Sequence, residues 1–290
     1  MDTIKRINFK KSEQELFDFE IVNFQEFLNT RPTKHLSKAF RLNFYIILYI
    51  TAGKGQHEID FEVYDFKAGD MIFIAQNQVH RFFADTQATG YIILFTEDYL
   101  STNSEMNIHD FLDHFNMPLY NPIIEIDVNK EASNRILIDL LYKEYQAVDR
   151  TVKIQLLKSL LRSFMLTIRR FKKGNEQREH TGVYKRFMEF KNLVEMNYKE
   201  KKTVGEYAKM MLVSEKTINQ STRRAVDLSA KQFIIDRILL EIKRYIGQGE
   251  LTINEISDLM GFDEPSNLTK FFKRYEGVSP TEFRTEYFSN

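Results

Sequence analysis

The chain has 290 residues, with 41 Lys+Arg against 41 Asp+Glu, 43% hydrophobic residues, and neither cysteine nor tryptophan. That length accommodates two domains and a connector; the missing cysteine excludes a disulfide scaffold or a thiolate site, and the missing run of about eighteen apolar residues excludes a helical membrane span. The zero net charge hides a division: residues 1–148 hold 14 Lys+Arg and 22 Asp+Glu, residues 149–182 hold 9 and 3, and residues 183–290 hold 18 and 16.

Residues 1–11 are too charged for a signal peptide, so residence in the cytoplasm and no membrane partner are expected. Residues 44–95 read as short strands. An apolar run covers residues 44–50, a turn follows at Gly53 and Gly55, and Ile59, Phe61 and Val63 alternate with Glu58, Asp60 and Glu62. Further apolar stretches at residues 71–75, 82–83 and 91–95, with a turn at Gly69-Asp70, suggest a sandwich or barrel. The stretch from Gly69-Asp70 to His80 resembles the second half of a cupin motif, which implies a cupin-like β-barrel over residues 1–122. Some cupins are metalloenzymes, so His57, Glu58 and His80 count as potential ligands. The usual pair of histidines two residues apart is missing, because Ile59 follows His57 by two; no metal and no cofactor are expected. Two roles for the barrel stay open. It binds a small-molecule effector through polar residues near its mouth, with Arg41, His57 and His80 as the candidates, or it is filled and only restrains the rest of the protein.

Residues 123–182 read as a helical connector. A first helix starts near Lys130, with Leu137, Leu140, Leu141, Tyr145 and Val148 on one stripe. In a second, Ile154, Leu157, Leu161, Phe164, Ile168 and Phe171 are spaced 3, 4, 3, 4, 3. This seam is a candidate homodimer interface; packing on the chain's own barrel is the other outcome, because Leu156 and Leu160 widen the apolar face. A polar linker over residues 172–182 would follow.

The last part of the chain contains one pattern twice. Thr203, Val204, Glu206, Tyr207, Ala208 and Met211 correspond to Thr252, Ile253, Glu255, Ile256, Ser257 and Met260 at an offset of 49. After one extra residue in the second turn, Ile218, Arg223, Arg224, Leu228, Ser229 and Phe233 correspond to Leu268, Lys273, Arg274, Val278, Ser279 and Phe283. Each copy opens with a capping box, Thr203 to Glu206 and Thr252 to Glu255, in which hydroxyl and carboxylate satisfy first-turn N–H groups. In the second copy Gly261 ends the first helix, Pro265 starts another over about residues 266–275, and Gly277 stops it. That helix has no acid between Pro265 and Tyr275. Leu268, Phe271, Phe272 and Tyr275 make one side apolar, and Lys270, Lys273 and Arg274 make the other basic.

Residues 252–284, with Gly261, Pro265, Ser266-Asn267-Leu268, Phe271-Phe272, Gly277, Pro280 and Arg284, closely resemble the signature of AraC/XylS-type transcription regulators. The resemblance implies a DNA-binding domain over residues 183–290, in which two helix-turn-helix units are joined by a spacer helix over about residues 229–246, about 27 Å long. It places base-contacting positions at Lys216, Asn219 and Gln220 in the first unit and at Ser266, Asn267, Thr269 and Lys270 in the second. Arg223, Arg224 and Lys273 would meet phosphates. The first unit departs from the pattern: Leu212 stands where a turn Gly is common, Gln220 for Arg, Thr222 for an aromatic residue, Asp227 for Gly and Ala230 for Pro. Such departures imply backbone strain or an altered turn.

The expected protein is therefore an α+β multidomain chain, a cupin-like barrel followed by a connector and an all-α domain. It acts as a sequence-specific transcription regulator and not as an enzyme. Its expected partners are double-stranded DNA, a small-molecule effector, a second copy of itself and the transcription machinery. The competing class is a cupin-type metalloenzyme or isomerase with an accessory helical domain.

Overall fold

The computed structural model describes residues 4–9, 18–32, 37–83, 85–101, 122–126, 131–148, 151–171 and 182–289. Two compact units result, residues 5–174 and residues 175–290, the latter with the first four residues. Of the linker expected at residues 172–182, residues 172–181 lie outside the described residues, and Gly182 already opens a helix, Gly182–Asn197.

In the first unit the described strands form one curled sheet: β1 (Lys5–Ile7), β2 (Phe19–Asn23), β3 (Phe40–Leu42), β4 (Tyr45–Ile59), β5 (Glu62–Lys67), β6 (Asp70–Ile74), β7 (Val79–Phe82), β8 (Gln87–Phe95) and β9 (Ile123–Glu125). The 15-residue β4 organises it, pairing antiparallel with β5, β6, β7 and β8, and a register shift between Ile50 and Ala52 bends it. The apolar run at the start of β4 serves two cores at once. Tyr45, Ile47 and Tyr49 face one layer with Phe19, Phe73 and Phe95, while Ile46, Leu48 and Ile50 face the inside of the curl with Phe24, Phe66 and Phe82.

The alternation read through residues 58–63 is broken. Asp60 and Phe61 form a two-residue hairpin turn with φ of 50° and 74°, a conformation in which non-glycine residues are uncommon. Asp60 is held there by its carboxylate, which accepts from the Val79 N–H (3.1 Å) and from Gln78 Nε2 (2.7 Å).

Helices Glu131–Gln146 and Lys153–Phe171 belong to this unit and do not form a separate connector. Leu157, Leu161, Phe164 and Ile168 are completely buried in one core with Tyr49, Phe95, Ile138 and Leu141. The seam expected between two subunits is thus filled by the chain's own sheet and neighbouring helix. Burial of this kind contributes about 1.5–3 kcal/mol per large side chain, and Ile154 turns outward, 37% exposed. The first helix is also rotated from its expected stripe: Asn134, Ile138 and Leu141 are inward and Leu140 and Val148 outward. A buried hydrogen bond from Thr167 Oγ1 to Asn134 Oδ1 lets a polar residue occupy the inner face, which an apolar count passes over.

The second unit is all helical: Gly182–Asn197, Val204–Met210, Glu215–Val226, Ala230–Gln248, Ile253–Leu259, Pro265–Glu276 and Pro280–Ser289. Its centre is the 19-residue spacer Ala230–Gln248, about 28 Å long, which buries Phe233, Ile234, Ile238 and Ile242. A buried cation sits on it. Arg237 donates to Glu195 (2.8 Å) and Glu241 (3.2 Å) and lies 4.0 Å over the Tyr198 ring, so its charge is paired as burial requires.

Candidate nucleic-acid interface

Both helix-turn-helix units are built on the same hydrogen-bond skeleton. The two capping boxes form, with Glu206 N–H to Thr203 Oγ1 at 3.4 Å and Glu255 N–H to Thr252 Oγ1 at 3.2 Å, each carboxylate returning to the Thr N–H. The first helices close alike, through Met211 N–H to Tyr207 O and Met260 N–H to Ile256 O, both 2.9 Å. The turns then hand over through Val213 N–H to Ala208 O (3.1 Å) and Phe262 N–H to Ser257 O (3.0 Å).

Substituted residues therefore do not change the turn. Leu212 adopts φ 53° where Gly261 has φ 63°, and Asp227 caps its helix at φ 57° where Gly277 has φ 80°. The left-handed conformation costs a residue with a Cβ about 1–2 kcal/mol, less for Asp than for Leu. Leu212 is 92% exposed and gains no packing in return.

Each second helix seats one face and presents the other. Helix Glu215–Val226 buries Ile218, Ser221 and Thr222, and Pro265–Glu276 buries Leu268 and Phe272. Thr222, bonded to Ile218 O (2.9 Å), stands where Phe272 meets Phe283 edge-on at 5.6 Å. On the outer faces Lys216, Gln220, Arg223 and Arg224 are exposed in the first helix, and Ser266, Asn267, Lys270, Lys273 and Arg274 in the second. Thr269 is half-buried, its hydroxyl returned to Pro265 O at 3.0 Å.

Asn219 differs from the other expected base contacts. Its Oδ1 accepts from the Ala230 N–H (3.0 Å), the first N–H of the spacer helix, and its Nδ2 donates to Glu215 O (3.1 Å). In the second unit the position of Ala230 is occupied by Pro280, which has no N–H to satisfy. The Ala230 departure thus creates a donor, and Asn219 is the acceptor that serves it.

In the N-terminal domain the structure brings two of the three effector candidates together. His57 on β4 and His80 on β7 are buried, with Nε2 and Nδ1 3.2 Å apart and Phe82 edge-on to His57 at 4.6 Å. Arg41 is buried on the adjacent β3, opposite Val79. Burial lowers His57 well below its ordinary 6.5, with further lowering from His80, and lowers His80 to about 4 against the pull of Asp60. Both rings are neutral at pH 7. Glu58 points elsewhere, to an ion pair with Arg81, and among the described residues no group of three or more His, Asp or Glu is placed to hold a metal.

Two family models match the chain: an AraC-like ligand binding domain over residues 26–113 and a helix-turn-helix domain over residues 207–286. The Msm operon regulatory protein of Streptococcus mutans is 25% identical over 258 residues, 85% of this chain and 86% of its own length. The HTH-type transcriptional regulator YdiP of Escherichia coli is 24% identical over 254 residues, 83% of this chain and 78% of its own. Among solved structures, ToxT from Vibrio cholerae aligns at 12% identity over 92% of this chain and 98% of its own, with a TM-score of 0.44. The DNA-binding domain of AdpA, solved in complex with a target DNA, aligns at 22% identity over 36% of this chain and 93% of its own, with a TM-score of 0.32.

Duplicated helix-turn-helix geometry and these matches define the class: the chain is a DNA-binding transcription regulator with a curled-sheet N-terminal domain. It belongs to the AraC family.

Proposed function

We propose that this regulator works in the cytoplasm, reads one face of a promoter duplex with its two second helices, and acts by binding without catalysing a reaction. One observation carries the reading: helix Pro265–Glu276 is anchored by Leu268 and Phe272 while Ser266, Asn267 and Lys270 stand exposed near its N-terminal half. Asn can bond adenine bidentately and Lys can donate to guanine acceptors. Lys216 and Gln220 supply the weaker base contacts of the first unit, and Arg223, Arg224 and Lys273 meet phosphates. Thr269, its hydroxyl hydrogen given to Pro265 O, contributes its methyl group or accepts at Oγ1, and Asn219 holds the spacer helix.

An effector fits the front domain. The ligand-binding match spans Arg41, His57 and His80, and the buried His57 Nδ1 has no hydrogen-bond partner in the structure, so a polar group of the effector would satisfy it. Any effector changes DNA binding only through unequal affinity for competent and incompetent states. A homodimer also belongs to the reading, supported by the outward Ile136, Leu140, Leu156 and Leu166, each at least 42% exposed, on the two helices that cover the sheet. The transcription machinery is the further partner.

The test starts from duplexes selected by the full chain from a randomised library. Asn267→Ala and Lys270→Ala should each weaken binding to the selected duplex about 10- to 100-fold and binding to random duplex far less. Equal losses on both duplexes would overturn the assignment of base contacts.

A further inference from the structure

The spacer helix is one connection between the two helix-turn-helix units, and the structure contains another. Lys202, the residue before the first capping box, donates from Nζ to the carbonyl of Gly261 in the turn of the second unit (2.7 Å). The same ammonium donates to Lys199 O (2.6 Å) and lies 5.0 Å from the Phe262 ring centroid. The backbone of this segment is fixed in turn: Lys202 N–H donates to Glu206 Oε2 (3.1 Å), and Lys199 Nζ donates to the Tyr245 hydroxyl on the spacer (3.2 Å). Gly261 is shaped to the contact. A Cβ there would lie 2.4 Å from Lys199 O and 3.2 Å from Lys202 Nζ.

The clasp closes a ring. Leaving the spacer, the chain passes Gly249, left-handed at φ 69°, before the second unit begins at Thr252. A rotation at that connection would change the distance and rotation between the two presented faces, and the ion pair of Lys243 on the spacer with Glu276 (2.6 Å) restrains it from one side. One charge-assisted hydrogen bond, to Gly261 O, and a cation–π contact with Phe262 cross the gap and oppose it.

We propose that Lys202 is a positioning residue for DNA recognition: through Gly261 it holds the second recognition helix at one distance and rotation from the first, so that an operator must present its two contact segments at a single spacing. The inference rests on the proposed reading of DNA by both helices. It concerns spacing discrimination, which no base-contacting residue supplies.

The experiment uses the full chain and the duplex it selects from a randomised library, with derivatives carrying one base pair inserted or deleted between the two protected segments. One base pair shifts a segment by about 3.4 Å along the axis and rotates it by about 34°. For the wild type the inserted duplex should bind at least about 30-fold more weakly than the selected one. Lys202→Met keeps the stem and removes the donors; it should lower that ratio by at least about threefold, and Lys202→Arg should restore most of it. Lys202→Leu, which likewise has no donor, takes the place of Lys202→Met if melting shows the latter unfolded. An unchanged ratio overturns the proposal, even if affinity falls uniformly on every duplex, since that is what mere destabilisation produces. If the chain selects no duplex, the DNA reading itself falls and the clasp with it; if selection succeeds and the ratio is unchanged, only the clasp falls.

Discussion

At corresponding turn positions the first helix-turn-helix unit carries Leu212 and the second Gly261; at the helix ends they carry Asp227 and Gly277, and at the start of the following helix Ala230 and Pro280. The backbone hydrogen bonds around these pairs are nevertheless the same. Shared caps and a shared buried face specify the fold of a unit, while the individual residues decide what remains for DNA. In the second unit glycine and proline take these positions, and Ser266, Asn267 and Lys270 of the reading helix stay exposed. In the first, Asn219 is occupied with the N–H that proline would have removed.

The largest difference expected from this comparison is in DNA discrimination. On the selected duplex, Lys270→Ala and Asn267→Ala should each cost about 1–3 kcal/mol, whereas Gln220→Ala in the first unit should cost less than about 1 kcal/mol. Equilibrium binding to matched and scrambled duplexes measures both. If Gln220→Ala costs as much as Asn267→Ala, the units read equally and the inequality argued from Asn219 disappears.

Next is the coupling of Asn219 to Ala230. Asn219→Ala leaves a helix-starting N–H without its acceptor and should destabilise the all-helical domain by about 1–2 kcal/mol. Ala230→Pro deletes that N–H, and Ser229 is already extended at ψ 151°, as a residue before proline must be. In the Ala230→Pro background Asn219→Ala should therefore be nearly neutral in thermal unfolding. An equal loss in both backgrounds would show that the side chain matters for another reason, base reading included.

A smaller effect is expected at the turns. Leu212→Gly should stabilise the first unit by about 0.5–1 kcal/mol, relief of the left-handed strain exceeding the added chain entropy. The reverse exchange is not symmetrical: Gly261→Leu places a Cβ against Lys199 O and should destabilise strongly. Unfolding midpoints of the two variants would show whether the open Leu212 turn and the Gly261 turn packed against Lys199 O differ in this way.

Much of the second unit's local structure was legible because its determinants lie within a few residues of one another. Thr252 and Glu255 are three apart, and Pro265 and Gly277 bracket one helix. Determinants far apart in the chain were not legible. Asn219 and Ala230 are eleven apart, Lys202 and Gly261 fifty-nine, and His57 and His80 meet only through the register of β4 with β7. The seam of Leu157, Leu161, Phe164 and Ile168 shows a further limit: periodicity reveals that a face is buried, and only the fold reveals that its own sheet buries it. Asp60-Phe61 lacks the glycine that marks a two-residue hairpin turn in sequence, and its support comes from the distant Gln78 and Val79.

The capping boxes supply the smallest prediction and the strictest check on what the two units share. Glu206 is held below the ordinary carboxylate value first by the Thr203 hydroxyl, and Glu255 first by the Thr252 N–H and then by its hydroxyl. A carboxylate whose folded value is depressed contributes stability that is fully present above the unfolded value, here about 4.5, and is lost as pH falls through the folded one. Both boxes should thus be intact at pH 6 and fade together below about pH 4.5. Amide exchange of Glu206 and Glu255, whose N–H groups the two Thr hydroxyls accept, follows each box separately. Glu206→Gln and Glu255→Gln should each weaken the pH dependence of their own box and leave the other unchanged. If one box opened a full pH unit before the other, the equivalence of the two units would fail at the feature they have most closely in common.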